Sequence, residues 1–323
     1  MLKKRYCWLI LFVVCLTILS LGVGCSSTNQ SGDAVEESAD GSGNQINQDK
    51  PIVISSKTFT ENLILGEIAV ALLEENGFTV DNEVGLGELN VIRPALESGE
   101  IDMYWEYTGT GLIRLMQQEP IDDPDLLYET VKNWDAENNI VWLNYAPGNN
   151  SYSLCTWPGF KAEYGVQTIS DLTKLIDEKP KEFTFATREE WMERPDGYKV
   201  FNETYGFNAD NLKLLFLALG LTPDAIKEKK ADFSVELSTD GRILAYNLEV
   251  IEDDKHVFPI YNPAPVIRKE VLDKYPQIAD IMGEVSPMLD TNTLISLNKQ
   301  VDVDKKEPGT VAREFLKEKG LIK

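Results

Sequence analysis

Short apolar runs alternate with amphipathic segments from Pro51 to the C-terminus, and this alternation limits the possible folds more than any other feature. The first unit reads as a strand at residues 52–54, a polar loop, and a helix capped by Thr60 and closed by Gly77. Further strands are predicted at residues 79–86, 101–105, 140–143 and 183–186, and further helices at residues 90–98, 125–138 and 170–177. Because strands that alternate with helices form largely parallel sheets, the sequence predicts an α/β fold.

The length of 323 residues is more than one hydrophobic core ordinarily holds, so two lobes are expected. The sequence has no repeat of fixed period, which argues against solenoids and propellers. Ligands of α/β sheets bind beyond the carboxyl ends of the strands, in the loops that open helices. The loops at residues 56–60 and 108–111 occupy such positions. The sequence therefore predicts a ligand cleft between two α/β lobes.

The N-terminus reads as an export signal. Three basic residues within the first five precede an apolar run over residues 7–23. The run stops at Cys25 behind small residues, as in a bacterial lipobox, although Leu21 lies four rather than three positions before the cysteine. The sequence thus predicts a signal peptide at residues 1–24 and a lipid-modified Cys25. A plain signal peptide and an uncleaved helix are the alternatives.

Residues 25–50 are rich in Ser, Gly, Asn, Gln, Asp and Glu, which predicts a flexible tether between the lipid and the folded body. No later stretch has the roughly 18 apolar residues of a spanning helix, so the lipid is expected to hold the protein on the outer face of the cell membrane. The formal net charge is -22, and it falls to -25 without the predicted signal, which contains three basic and no acidic residues. Nucleic acid is therefore not an expected partner.

The composition offers little for catalysis or metal binding. The single histidine, His256, lies in an acidic turn and is expected to be solvated. Three of the four cysteines fall within residues 1–25, and the fourth, Cys155, lies in an apolar-flanked run typical of a buried core residue. Gly85 and Gly87 lack the third glycine of a dinucleotide fingerprint, and no Walker-type loop is present. Neither an enzyme, a cofactor nor a metal site is predicted.

Aromatic residues are concentrated in loops and at strand ends: residues 104–107, Tyr152, Trp191 and Tyr261. The face of a well-placed ring attracts a methylated ammonium by about 0.5–2 kcal/mol, although aromatic residues are also ordinary core residues. The loop at residues 56–61 sets Lys57 before a helix whose first N–H groups are unpaired, which is a potential carboxylate site. A solvated Lys57 beside a capped helix explains the same pattern.

Five segments in consistent order resemble the substrate-binding proteins of ABC importers for glycine betaine, choline and carnitine. They are SKTFTENLILGE (56–67), RPALESGEIDMYWEYTGT (93–110), ERPDG (193–197), STDGRI (238–243) and FPIYNPAPVIR (258–268). The resemblance implies a periplasmic-binding-protein fold of type II, with two α/β lobes that are joined by two crossovers and close on the ligand. It places lobe 1 at residues 51–147 and 257–323, and lobe 2 at residues 148–256.

The resemblance also implies the residues of the binding site. The expected aromatic cage for the ammonium head is formed by Tyr107, Tyr152 and Tyr261. The residues expected to hold a carboxylate are Lys57, Thr110 and Arg194. Asn62 is expected to meet a polar tail. Many relatives carry a further cage tyrosine immediately before STDG, where this chain has Leu237, and Trp105 or Trp191 is a candidate replacement for that wall.

The function implied is that of an extracytoplasmic solute-binding lipoprotein of an ABC importer. It would capture a quaternary-ammonium compatible solute and deliver it to a membrane permease driven by a separate ATPase subunit, without being an enzyme. Two alternatives remain at this point. The pocket could bind a different betaine-like solute such as ergothioneine, or the protein could be a sensory surface lipoprotein.

Overall fold

The computed structural model describes residues 46, 48–194, 196–218 and 220–323. The predicted signal peptide and nearly all of the predicted tether, including Cys25, lie outside the described residues. Within the described ranges, no helix is both long enough and apolar enough to span a membrane.

The described residues form ten strands. They are β1 (Ile52–Ser55), β2 (Val80–Glu83), β3 (Met103–Tyr107), β4 (Ile140–Trp142), β5 (Tyr152–Thr156), β6 (Thr184–Thr187), β7 (Lys213–Phe216), β8 (Phe233–Leu237), β9 (Glu249–Ile251) and β10 (Pro263–Arg268). These strands make two five-stranded sheets, and each sheet is mixed.

Thirteen α-helices surround the sheets in the part of the chain that the structure describes. They are α1 (Thr60–Glu75), α2 (Leu89–Ser98), α3 (Pro124–Ala136), α4 (Phe160–Tyr164), α5 (Ile169–Glu178), α6 (Glu189–Glu193), α7 (Tyr198–Tyr205), α8 (Thr222–Lys227), α9 (Gly241–Ala245), α10 (Lys269–Lys274), α11 (Gln277–Val285), α12 (Thr291–Asp302) and α13 (Pro308–Glu318). A π-helical segment spans Thr110–Leu115, and short 3-10 turns span Ala209–Asn211 and Ser286–Met288.

The first sheet has the order β2-β1-β3-β10-β4. Strand β1 is parallel to β2 and β3, whereas β10 runs antiparallel to β3 and β4. Helix α1 packs between this sheet and α13, and apolar residues on most of its circumference, such as Leu65, Ile68 and Leu72, are buried. Because α1 lies between the sheet and α13, apolar residues cover nearly all of its surface.

The second sheet has the order β7-β6-β8-β5-β9. Strand β6 is parallel to β7 and β8, and β5 is antiparallel to β8 and β9. Its core is dominated by phenylalanines in edge-to-face contact, for example Phe185 with Phe207. Cys155 is buried in β5, as predicted, and burial raises the pKa of its thiol above the usual range. The thiol is therefore a packing group rather than a nucleophile.

The predicted elements that can be compared agree with the structure to within a few residues. The helix predicted at 170–177 is α5, which Thr168 and Asp171 begin with a reciprocal capping box. One detail differs: Phe59 occupies the N-cap of α1, and the Thr60 hydroxyl donates instead to Asp302 Oδ1 at 2.6 Å. The prediction that Thr60 caps this helix was wrong. The Thr60 hydroxyl pairs with Asp302, which is distant in the chain, instead of capping the helix.

Within the described residues the chain passes between the two sheets twice, at residues 143–151 and 252–262, which we call the crossovers. The crossovers lie side by side. The Asn150 N–H donates to the Tyr261 carbonyl at 3.0 Å, and the Tyr261 N–H donates to Asn149 Oδ1 at 2.8 Å. The strands of the first sheet come from two chain segments and those of the second from one. The lobe boundaries drawn at residues 147/148 and 256/257 remain predictions.

Candidate functional site

A cavity of about 680 Å³, which we call the cleft, lies between the two sheets. Tyr107 is the last residue of β3, and Tyr152 is the first residue of β5, where it pairs with Leu237 at the end of the antiparallel β8. The cleft thus lies at the carboxyl ends of β3 and β8, where ligands of such sheets bind. Another cavity, of about 530 Å³, lies between α1 and the start of α13, and no aromatic side chain among the described residues lines it.

Among the described residues, four aromatic rings line the cleft. The centroids of Tyr152 and Tyr261 are 6.4 Å apart with planes at 73°, and those of Phe59 and Tyr107 are 5.9 Å apart with planes at 36°. Gly109 permits the close approach of the second crossover, because a Cβ at this position would lie 2.6 Å from Tyr261 Cδ1. The structure therefore brings the three predicted cage tyrosines to one cavity and adds Phe59.

The hydroxyls of two of these rings donate hydrogen bonds to buried carboxyl groups. The Tyr107 hydroxyl donates to Glu61 Oε1 at 2.9 Å, and the Tyr261 hydroxyl donates to Asp196 Oδ2. Burial, together with the neighbouring carboxylate, raises the pKa of each phenol above its usual value, so both stay protonated. Both hydroxyls are thus engaged in hydrogen bonds within the protein, and burial raises the pKa of the Glu61 carboxyl above its usual value.

The two predicted carboxylate-binding cations are already paired. Lys57 Nζ donates to Glu106 Oε1 and lies 5.2 Å from the centroid of the Tyr107 ring. Arg194 donates to both oxygens of Asp196 at 2.9 and 2.7 Å. Burial alone would raise the pKa of Asp196, but the hydrogen bonds and charge of Arg194 hold it below the usual value. Both cations line the cleft, yet each has part of its charge neutralised by its partner.

Further charged residues line the same cleft. Of the described lining residues, four carry positive charge and two carry negative charge: Lys57, Arg93, Arg114, Arg194, and Glu88, Glu190. Arg93 forms a buried ion pair with Asp135, whereas Arg114 is exposed and makes no ion pair among the described residues. Thr110, which also lines the cleft, begins the π-helical segment. π-Helical turns frequently occur at functional sites.

Asn62, Trp105 and Trp191 differ from the expectations. Asn62 is fully buried, accepts a hydrogen bond from the Lys57 N–H at 2.6 Å and donates to the Trp105 carbonyl at 2.9 Å. Asn62 thus braces the loop before α1. Trp105 and Trp191 lie in the cores of the first and second sheet, and neither is among the described residues that line the cleft. The extra ring in the cleft is Phe59, and Leu237 lines it without an aromatic replacement.

Residues 50–318 match the family model described as the substrate binding domain of ABC-type glycine betaine transport systems. The chain belongs to this family. The glycine-betaine-binding protein of Pseudomonas aeruginosa is 36% identical over 281 residues, which cover 85% of this chain and 90% of that protein.

Two other relatives of the family extend the comparison. The ergothioneine transport permease/ergothioneine binding protein EgtU of Helicobacter pylori is 33% identical over 276 residues, 85% of this chain and 48% of that protein. The solved structure of apo YehZ from Escherichia coli is 34% identical, with a TM-score of 0.70 over 84% of this chain and 99% of that one. The prediction of a two-lobed periplasmic-binding-protein fold is confirmed.

Family membership also gives the coarse function. Members are extracytoplasmic substrate-binding proteins that bind a small ligand and work with the permease and ATPase of an ABC transporter; they are not enzymes. The corresponding predictions are confirmed. Among the described residues, no group of three or more His, Cys, Asp or Glu side chains is arranged to hold a metal ion.

Several residues that line the cleft were not predicted from the sequence. Phe59 stood within a quoted motif but was interpreted only as part of a loop. Arg114 follows the EYTGT motif by four residues, and Asn150 precedes the Tyr152 strand by two. Proximity to a strand end was the available signal for Asn150. Nothing in the local pattern distinguished Arg114 from a solvated surface arginine.

Proposed function

We propose that this protein captures a quaternary-ammonium compatible solute, such as glycine betaine, choline or carnitine, outside the cell and delivers it to an ABC importer. The convergence of Tyr107, Tyr152, Tyr261 and Phe59 on one cleft carries the proposal. Ring faces attract a cation without offering it hydrogen-bond acceptors. The similarity to a glycine-betaine-binding protein supports the same ligand class.

Selectivity follows from the different hydration of ammonium groups. The ammonium of lysine donates three hydrogen bonds to water and would lose them among aromatic rings, which is costly. A trimethylammonium has no N–H group and loses far less.

The carboxylate of a betaine would lie beside the basic residues of the cleft. Lys57, Arg194 and Thr110 line the cleft, and Arg114 adds a cation without an ion-pair partner among the described residues. Arg114, a lining cation without an ion-pair partner among the described residues, favours an anionic group in the cleft. Glycine betaine is therefore expected to bind more tightly than choline, which has no carboxylate.

A thermal-shift screen tests the solute class. The purified protein would be melted with glycine betaine, proline betaine, carnitine, choline, ergothioneine and ordinary amino acids. A specific ligand raises the melting temperature by mass action. Shifts with methylated ammonium compounds, and none with ordinary amino acids, are expected. If amino acids gave the shifts and methylated compounds gave none, the proposed ligand class would be wrong.

Tyr107→Ala is expected to weaken glycine betaine and choline binding by about thirtyfold, since a desolvated ring contributes about 2 kcal/mol. Tyr107→Phe keeps the ring and removes only the hydrogen bond to Glu61, so its affinity should stay closer to wild type. Isothermal titration calorimetry measures both. Tyr145→Ala, outside the cleft in the first crossover, is the matched control. Unchanged affinity in both Tyr107→Ala and Tyr261→Ala would rule out the aromatic cage.

The proposal includes attachment to the membrane through lipid on Cys25. Cys25→Ser is expected to move the exported protein from the membrane fraction to the soluble fraction after cell lysis, because the thiol is the site of modification. Cys15→Ser, within the apolar run of the predicted signal, should leave the protein with the membranes. Fractionation and mass spectrometry of the N-terminal peptide provide the readout, and identical fractionation of the two variants would contradict the anchor.

A further inference from the structure

A contact outside the two crossovers also joins the parts of the chain that form the two sheets. Helix α9 lies between β8 and β9 of the second sheet, whereas α12 follows the last strand of the first sheet, and the two helices pack against each other. Gly241 permits this packing, because a Cβ at this position would lie 2.2 Å from the Lys299 backbone nitrogen. We call this contact the third junction. It lies beside the first crossover, since Ser238 Oγ donates to the Asn149 carbonyl at 2.7 Å.

Asn298 of α12 lies within the third junction and is only 3% exposed. Its Nδ2 donates to the carbonyl of Thr239, two residues before Gly241, at 2.9 Å. The same nitrogen donates to Glu61 Oε2 in α1 at 2.9 Å. A side-chain amide nitrogen has two hydrogens, so it can serve both acceptors. Asn298 therefore connects the loop before α9 to the first turn of α1.

Glu61 extends this connection to an aromatic ring of the cleft. Its Oε1 accepts hydrogen bonds from the Tyr107 hydroxyl at 2.9 Å and from Asn150 Nδ2 at 2.8 Å. Burial raises the pKa of the Glu61 carboxyl, and the surrounding donors, Asn298 among them, oppose this shift. Hydrogen bonds to an ionised group are stronger than neutral ones and fix its geometry. The orientation of Tyr107 thus depends on a chain of hydrogen bonds that begins at Thr239.

We infer that Asn298, held by the third junction, is a positioning residue for solute binding that acts through Glu61 on Tyr107. Asn298 is not among the described residues that line the cleft, so it acts without contact with the solute. It fixes the Glu61 carboxyl and thereby the ring that faces the methylated ammonium. The attraction between a ring and a cation requires the cation to lie over the ring face, so a displaced ring binds more weakly. The inference rests on the proposed function, because it takes Tyr107 as part of the cage.

Asn298→Leu keeps a branched side chain and removes the amide donor. We expect it to weaken glycine betaine and choline binding equally, by about fivefold, because both solutes carry the head that Tyr107 contacts. Calorimetry of the purified mature protein measures the affinities. Asn292→Leu, the same substitution at an exposed position of α12, should change neither. Unchanged affinities in Asn298→Leu, or weakening of glycine betaine alone, would overturn the inference and leave the proposed function intact. A wild-type protein that binds neither solute would overturn both.

A double-variant cycle separates positioning from a general loss of structure. Tyr107→Phe lacks the hydroxyl that donates to Glu61, so the chain of hydrogen bonds no longer reaches the ring. In this background, adding Asn298→Leu should change the affinity for glycine betaine by less than about twofold, whereas independent effects would add in full. A further loss of about fivefold in the double variant would mean that Asn298 does not act through Tyr107, and the inference would fail.

Gly241→Ala tests the third junction without altering the Asn298 side chain. The added methyl group would push α9 away from the Lys299 backbone and draw the nearby Thr239 carbonyl away from Asn298. We expect glycine betaine binding to weaken by about threefold or more, and this loss to disappear in the Tyr107→Phe background. Gly283→Ala in α11, where a Cβ would meet nothing within 4 Å, is the matched control and should leave the affinity unchanged. Equal affinities of Gly241→Ala and Gly283→Ala would show that the junction does not position Asn298, and the inference would be wrong.

Discussion

Asp135→Ala is expected to lower the free energy of unfolding by about 3–5 kcal/mol, the usual effect of removing one partner from a buried ion pair. Asp135 is fully buried in α3 and accepts hydrogen bonds from Arg93 Nη1 at 2.7 Å and from the Trp142 indole N–H at 2.8 Å. Burial alone would lower the pKa of Arg93, but Asp135 holds it above its usual value. The alanine variant would leave a buried guanidinium that cannot lose its charge and that keeps only the half-exposed Glu97 as an ion-pair partner.

Urea denaturation of the wild-type and variant proteins measures the effect. Asp122→Ala removes an exposed carboxylate and should change the free energy of unfolding by less than about 0.5 kcal/mol. A double variant, Arg93→Met with Asp135→Leu, is expected to recover much of the loss, because it removes both charges and keeps apolar volume. A loss below about 1 kcal/mol in Asp135→Ala would mean that water reaches Arg93 and solvates it.

Glu236→Gln is expected to make the protein more stable than wild type at alkaline pH and similar to it in acid. Glu236 is buried in β8 and accepts hydrogen bonds from the hydroxyls of Ser234 and Thr222, and it has no ion pair among the described residues. Burial raises the pKa of Glu236 from 4.5 to about 8. The folded protein therefore retains a proton that the unfolded chain releases.

The sign of the pH dependence follows from this difference. The stabilisation is fully present below the unfolded pKa of 4.5 and is lost as the pH rises to about 8, by about 1.4 kcal/mol per pH unit within that window. Glutamine does not ionise and lacks this loss. Urea denaturation at pH 5, 7 and 9 measures it, with the exposed Glu203→Gln as control. Parallel pH profiles for wild type and Glu236→Gln would contradict a buried, protonated Glu236.

The alternation of elements could be predicted because it depends on local pattern. The strands of both sheets end near the predicted loops, and the family motifs led to Tyr107, Tyr152 and Tyr261. The roles of Trp105 and Trp191 could not be predicted in this way. All five residues of β3 are buried, since the strand is central in its sheet, and a strand buried on both faces gives no periodicity that separates core from cleft.

The partners of the site residues could not be predicted because they are distant in the chain. Glu61 lies 237 positions before Asn298, and Lys57 lies 49 positions before Glu106. A single sequence contains no signal for such pairs. The same limitation explains why Lys57 was expected to be available for a carboxylate, whereas the fold pairs it with Glu106. Arg194 is different, because its partner Asp196 lies only two positions later in the chain.

The side-by-side crossovers have a mechanical consequence. If the crossovers act as a hinge between the lobes, each atom moves in proportion to its distance from the hinge axis. Tyr152 directly follows the first crossover and Tyr261 lies within the second, so the two rings sit beside the pivot and keep their spacing throughout the swing. The methylated ammonium head of the solute would then bind to these rings before the lobes close.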